Sequence, residues 1–297
     1  MVGAPQRRLL PDGRRLHLQH GPIDLIIEAF GDAEEIARAY RQAEACFADL
    51  LATLVRELTA LRRPIGEMPP SLVGPVARRM VQAVWPHRAV FVTPMAAVAG
   101  AVADEVLAAL VAGRELAKAY VNDGGDIAVH LTPGGRFAAG MVAELASPAI
   151  DGIATITHDM PVRGLATSGR GGRSFTLGIA DAVTVLARDA AAADAAATLI
   201  ANRVDLDHPA IERRPASSLR DGSDLGDIPV TVAVGPLEPA AIEAALAAGA
   251  AEAERMHRAG LIVAAALFLR GRHRVVGELP LPASGSGRQQ GAQILDR

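Results

Sequence analysis

Asp194 and Thr198 stand four residues apart in an alanine-rich run, Ala193-Asp194-Ala-Ala-Ala-Thr198. Residues i and i+4 share one face of a helix. A carboxylate and a hydroxyl placed so offer two hard oxygens, a set that suits Mg2+ better than zinc. The plainer reading is helix decoration, with the Thr198 hydroxyl bonding back to a carbonyl. A second candidate is Tyr120-Val-Asn122-Asp123-Gly124-Gly125-Asp126-Ile127. The glycines allow positive φ and a close approach of a ligand to the backbone, and Asp123 and Asp126 could hold a metal or a sugar hydroxyl. Turn chemistry alone also explains this segment as a β-hairpin. A third is Ala166-Thr167-Ser168-Gly169-Arg170-Gly171-Gly172-Arg173-Ser174. Hydroxyls, free amides and two guanidinium groups suit a phosphate, although the spacing is not that of a P-loop and a mobile surface loop accounts for it equally. A fourth is Thr157-His158-Asp159-Met160-Pro161, where a His beside an Asp could move protons but also reads as a strand-end turn before proline.

Composition narrows the classes of chemistry. The chain has 297 residues, 50% of them hydrophobic, with a net charge of −3 and a single cysteine. A core of ordinary size follows, and no basic surface for general nucleic-acid binding. One cysteine permits no internal disulfide and no Cys-rich metal site. Cys46 falls in a helical-period run (Ile36, Tyr40, Ala43, Phe47, Leu50, Leu51, Leu54, Leu58) and is expected to be a small buried apolar residue. Lys118 is the sole lysine, so no other lysine can act as a nucleophile. No His-x-x-x-His pair, Gly-x-Ser-x-Gly elbow or post-strand Gly-x-Gly-x-x-Gly occurs. Met1–Gly13 lacks a signal-type apolar stretch, and the apolar runs Val90–Ala103 and Leu261–Leu269 fall short of the ~20 residues of a membrane span. The expectation is a cytoplasmic protein without a membrane partner.

These segments need elements to hold them. Arg15–His20 and Asp24–Ala29 read as strands around Gly21-Pro22, and Asp32 caps a long helix to about Leu61. A second helix runs from Ser71 to Trp85, Val90–Thr93 is strand-like, and Pro94–Ala112 is a buried helix ended by Gly113. Strands follow at Lys118–Val121, Asp126–Leu131, Arg136–Ala143, Gly152–His158, Arg163–Thr167 and Ala182–Ala187. Then come a helix over Arg188–Asn202, a polar loop over Arg213–Asp227, a strand over Ile228–Val234, a helix over Glu238–Arg258, and strands at Leu261–Leu269 and His273–Glu278. Consecutive strands among helices predict an α+β fold with antiparallel sheets packed against helices. Residues 1–279 form one domain, or two closely packed halves. The Pro-, Gly-, Ser- and Gln-rich segment 280–297 is expected to be a flexible tail.

Taken in order, the motifs form a pattern. Pro94-Met-Ala96-Ala-Val-Ala-Gly100-Ala-Val-Ala-Asp104, Asn122-Asp-Gly-Gly-Asp-Ile127, Ala166-Thr-Ser-Gly169 and Asp194-x-x-x-Thr198 follow one another, with Gly178-Ile-Ala-Asp-Ala-Val183 and Asp224-Leu-Gly-Asp227 beyond. The chain resembles the ApbE superfamily, related to FAD:protein FMN transferase, and within it a compact branch. The resemblance implies an ApbE-like, T-fold-related architecture, with FAD or FMN in a cleft and Mg2+ on the pyrophosphate. It implies metal ligands at Asp194, Thr198 and the Ala96 carbonyl. It implies cofactor contacts at Asp104, Asn122, Gly124, Gly125, Asp126, Thr167, Ser168, Gly169 and Arg170. The activity implied is Mg2+-dependent cleavage of FAD or transfer of FMN to a Thr or Ser of an acceptor protein. The chain departs from the transferases in two places: Ala99 stands where they carry a lysine, and their His-containing stretch after Ala-Thr-Ser-Gly is missing. The alternative is therefore a non-catalytic protein that holds a flavin or pterin-like cofactor, for example in C1-carrier biosynthesis. Alanine-rich helix faces around Ala96–Ala112 and Ala240–Ala253 would also serve a homo-oligomer.

Overall fold

The computed structural model describes residues 3–142 and 150–278; the expected tail over 280–297 lies outside them. In chain order the elements are β1 (Gln6–Leu9), β2 (Leu16–His20), β3 (Ile23–Gly31), α1 (Ala33–Ala48), α2 (Leu50–Leu61), α3 (Pro75–Val84), α4 (Val98–Val111), β4 (Leu116–Asp123), β5 (Asp126–Leu131), β6 (Arg136–Val142), β7 (Ile150–Thr157), β8 (Gly164–Ser168), β9 (Ala182–Ala187), α5 (Ala190–Arg203), β10 (Ile211–Pro215), β11 (Pro229–Val234), α6 (Pro239–Arg258), β12 (Ala264–Leu269) and β13 (Arg272–Val276). The class is α+β, with antiparallel pairing in every register given below.

The chain divides into two compact units. The first comprises residues 1–136, 157–166 and 188–195. Its strands run β1-β2-β3-β4-β5, with the start of β8 added beside β5 through Ile127↔Leu165 and Ala128↔Gly164. Alternation along these strands puts Leu16, Leu18, Leu25, Ile27, Ala119 and Val121 on one buried face. Helix α1 packs on β3, and α4 packs on β4 and β5. Pro94–Val111 is apolar and long enough, by length and composition, to cross a membrane, and half of it is buried. Ala101, Val102, Ala103, Val106 and Leu110 are fully buried, so core packing accounts for this apolar helix.

The second unit comprises residues 137–156, 167–187 and 196–297. Its strands β9, β12 and β13 pair in that order, β6 pairs with β7, and β10 pairs with β11. Helix α6 lies against β12 and β13 and buries Ala245, Leu246, Ala253 and Met256. At Gly249 a Cβ would approach the Val204 methyl to 2.3 Å, so the bare backbone allows this close packing.

Several boundaries differ from the sequence expectation. The long helix to Leu61 breaks at Asp49, whose φ −106° and ψ 0° leave the helical path between α1 and α2. The helix expected from Ser71 starts at Pro75, because Glu57 takes the N–H groups of Val73 and Gly74 and proline suits the first helical position. Val90–Thr93 is not a strand; Val92 offers its carbonyl only to Ile65 N–H among loop backbone bonds, and Val90 and Phe91 are exposed. The polar loop expected from Arg213 begins as strand β10, whose charged side chains face outward while its backbone pairs with β11. Strand β1 was hidden for the same reason: all four of its residues are exposed. Cys46 is half-buried rather than a core residue. It lines a cavity of about 100 Å3 with Leu50, Thr53, Leu54, Val76 and Glu105.

Candidate functional site

Two helices of the first unit begin side by side, and each is capped by a carboxylate carried on the other. The opening amides of a helix have no intrahelical acceptor. At α4 the N-cap is Ala97, which supplies no side-chain acceptor. Asp194 of α5 supplies it instead, with Oδ2 accepting from Gly100 N–H at 3.1 Å and the carboxyl also accepting from Ala99 N–H. At α5, Asp189 reaches only Ala192 N–H, at 2.7 Å. Asp104 of α4 takes the two amides before it, Ala190 at 3.0 Å and Ala191 at 2.9 Å. Glycine permits the approach: a Cβ on Gly100 would lie 2.2 Å from Ala190 O, and one on Gly164 would lie 2.0 Å from the Asp189 carbonyl carbon. The start of α5 is thus held between α4 and β8.

The charges at this junction are poorly compensated. Desolvation pushes the Asp104 carboxyl up to about 6 against the pull of its two amides, and the Asp189 charge raises it further. Desolvation pushes Asp194 up to about 7, with the charges of Asp123 and Asp104 acting in the same direction. As whole residues Asp104 and Asp194 are partly exposed, while the desolvation that raises them places their carboxyl groups deep in the protein. Along α5 the positions that are not buried through Asn202 are Asp194, Thr198 and Asn202, spaced by four, while the alanines between them are buried. This is a polar stripe on a helix otherwise enclosed by protein. Asn202 is engaged by Thr176 and the Leu177 amide. Among the described residues the Thr198 hydroxyl makes no hydrogen bond, so the back-bond to a carbonyl does not form. Ala96 lies in the 3-10 turn leading into α4, with its N–H bonded to Thr93 O.

The Asn122–Asp126 segment is a two-residue hairpin closing β4 onto β5, with Asp123 opposite Asp126. Gly124 and Gly125 take φ of 64° and 115°, and Asn122 Oδ1 accepts from Gly125 N–H at 2.8 Å. Both positive φ values match a primed hairpin turn. Asp123 is buried, and its charge acts on Asp194. The sequence offered the Asp123 and Asp194 segments as separate candidates, and their electrostatic proximity comes from the structure.

The Thr167–Arg170 segment belongs to the second unit. Thr167 Oγ1 lies 2.9 Å from the buried Thr184 Oγ1. Gly169 has φ 149°, and a Cβ there would lie 2.5 Å from Asp181 O. Arg170 N–H donates to Ala180 O, and its guanidinium lies 3.5 Å from Asp181. Ser168 is half-buried beside them. This segment is anchored at Gly169 and Arg170, while Gly171–Ser174 beyond them are exposed. His158 and Asp159 sit at a turn of the first unit, 3.3 Å apart, with Asp159 95% exposed. Arg163 binds the His158 and Met160 carbonyls and braces that turn. Among the described residues no group of three His, Cys, Asp or Glu side chains is arranged to hold a metal.

Sequence reasoning missed the exchange of caps and the role of Gly164. The sequence hid the need for that exchange: Thr93-Pro94 reads as an ordinary helix start, and only the structure shows a 3-10 turn there with α4 itself opening after Ala97.

Comparison with known proteins adds a family. The model described as AbpE bacteria matches residues 7–275. A UPF0280 protein of Methanothrix thermoacetophila is 37% identical over 146 residues, which is 48% of this chain and 57% of that protein. One from Archaeoglobus fulgidus is 36% identical over 135 residues, 44% of this chain and 51% of that protein. The chain thus spans about half the length of the curated relatives it matches. Among solved structures, the flavin transferase ApbE from Vibrio cholerae aligns with 93% of this chain and 97% of its own at 12% identity and a TM-score of 0.42. The apo flavinyl transferase ApbE from Pseudomonas stutzeri aligns with 92% and 95% at 14% identity and a TM-score of 0.41. A likeness at that level does not extend to residues or chemistry.

Proposed function

We propose, for a chain that belongs to the AbpE bacteria family, that it binds a flavin nucleotide, FAD or FMN, or a similar nucleotide-like cofactor, together with Mg2+. The reaction we assign to it is cleavage of the FAD pyrophosphate or transfer of FMN to a Thr or Ser hydroxyl of an acceptor protein. The observation that carries this reading is the polar stripe of α5, where Asp194 and Thr198 are partly exposed on a helix whose intervening residues are buried.

The donor set fits a hard divalent cation. Asp194 is a carboxylate whose charge is held unfavourably beside Asp123 and Asp104, and the Thr198 hydroxyl is uncommitted among the described residues. Asp194 and Thr198, with the Ala96 carbonyl, would hold the ion. Bound there, Mg2+ would neutralise charge on the pyrophosphate. With so few protein oxygens, the ion would need further oxygens from the ligand or from water. The Gly124-Gly125 turn offers backbone to a ligand without side-chain obstruction, since nothing lies within 4 Å of a Cβ at Gly125. Within the second unit, Arg170 and the Thr167-Ser168-Gly169 backbone offer by themselves a positive charge and donors that suit an anionic group.

A specific observation also supports a second reading, in which the cofactor is held without turnover. Ala99 stands where the transferases carry a lysine, and its amide is spent on the Asp194 carboxyl. One experiment separates the two: incubate the protein with FAD, with and without Mg2+, and follow AMP and FMN by chromatography and binding by flavin fluorescence. Metal-dependent AMP release, lost in Asp194→Asn, supports the enzyme. Saturable binding without AMP supports the holding role. Neither binding nor release rejects the flavin reading, and pterins become the next ligands to test. Asparagine is the right substitution because it keeps an acceptor for the Gly100 amide, whereas alanine would also uncap α4.

A further inference from the structure

Neither α4 nor α5 can begin as it does on its own sequence. The cap position of α4 is an alanine, and the cap of α5 reaches one amide of its first turn. The missing acceptors are exchanged: Asp104, seven residues into α4, binds the first two amides of α5, and Asp194, five residues into α5, binds two opening amides of α4. The close approach at Gly100, where a Cβ would meet the Ala190 carbonyl group, leaves no slack between the helices. A carboxylate seated on one helix and bonded to another is fixed only while both helices hold their places. Loss of either cap must therefore loosen the other, which independent caps would not do.

We propose that Asp104 is a positioning residue for Asp194: through this mutual clasp it sets the orientation in which Asp194 meets a divalent cation. The proposal rests on the metal-binding reading above. Asp104 itself touches no cation; both of its oxygens are committed to the α5 amides. Its part is to hold the first turn of α5 in register with α4, so that the Asp194 carboxylate lies across the Ala99 and Gly100 amides. Supporting groups of this kind alter metal affinity by about 10- to 100-fold when changed.

The test combines native-state amide exchange by NMR with Mn2+ titration followed by electron paramagnetic resonance. It uses the full chain as wild type, Asp104→Asn and Asp104→Ala. Exchange at Ala190 and Ala191 rises in both variants simply because their acceptor is weakened or gone. The clasp predicts in addition a several-fold rise at Ala99 and Gly100, whose acceptor is the untouched Asp194, and a Mn2+ Kd weakened by about tenfold. Asp104→Asn, which keeps one acceptor oxygen, lies between wild type and Asp104→Ala in both readouts, and it carries the comparison alone should the alanine variant fail to fold. Unchanged exchange at Ala99 and Gly100, or an unchanged Kd, in a protein whose wild type binds Mn2+ overturns the positioning role while leaving the metal reading intact. A wild type that binds no Mn2+ overturns the metal reading, and with it the purpose assigned to the clasp.

Discussion

Gly100→Ala sets two opposed effects against each other at the junction of α4 and α5. Inside an exposed helix the substitution would stabilise by about 1 kcal/mol, because alanine is the better helix former. Here the new Cβ lies 2.2 Å from Ala190 O, 2.5 Å from its carbonyl carbon and 2.7 Å from Ala191 N. Backbone atoms cannot rotate out of the way. Reaching the 3.4 Å of ordinary contact takes roughly 1 Å of separation, an overpacking cost of about 1–3 kcal/mol. The same movement lengthens and weakens the bonds of 2.9–3.1 Å that Asp104 and Asp194 make, as the overpacking is shared between the two helices. Charged hydrogen bonds contribute about 1.5–3 kcal/mol each, so partial loss outweighs the propensity gain and the net destabilisation is about 2–4 kcal/mol. In urea unfolding followed by circular dichroism, with an m near ~3 kcal/mol/M, the midpoint falls by about 1 M. Gly249→Ala is the matched control in α6: its Cβ would meet the side-chain methyls of Val204 and Leu267, at 2.3 and 2.9 Å, which can shift. It should lose less. A Gly100→Ala midpoint equal to or above that of the wild type would refute the close approach and the caps that depend on it.

Two further outcomes follow from the titrating groups. Asp104 and Asp194 are raised to about 6 and about 7 in the folded chain, against about 4 when unfolded. Between those values the folded state binds more protons, so the stability contributed by this pair is greatest near pH ~4 and declines as pH rises to ~7. Comparing Asp104→Asn with wild type cancels groups of opposite slope such as Asp12, whose carboxyl is lowered. The difference in unfolding free energy should shift in the variant's favour as pH rises through that window, and a difference flat with pH rejects the assignment. The Cys46 thiol is pushed up by burial and then by the Glu105 charge, so thiolate is scarce at neutral pH. Ellman's reagent should label the native protein slowly and the guanidinium-unfolded protein quickly; equal rates would contradict the half-buried placement.

The amino-acid sequence by itself determined the α+β class, the strands β5 and β9, the helices α5 and α6 within one or two residues, the end but not the start of α4, and the Asn122–Asp126 turn. It did so because apolar period, alanine runs and Gly-Gly turns are local properties of the chain. Local pattern failed where the backbone pairs while the side chains stay in water, as in β1 and β10. It failed again at Asp49, where a bend interrupts a continuous apolar stripe. The site divides along the same line. Asp104, Asp123 and Asp194 were all visible as candidates, yet their spacing carries no record that Asp104 serves α5 and Asp194 serves α4. Only the tertiary structure decided that exchange. A helix end accepts any carboxylate brought within reach of its free amides, and which one arrives depends on the packing of residues some 90 positions apart, about the Gly100–Ala190 approach.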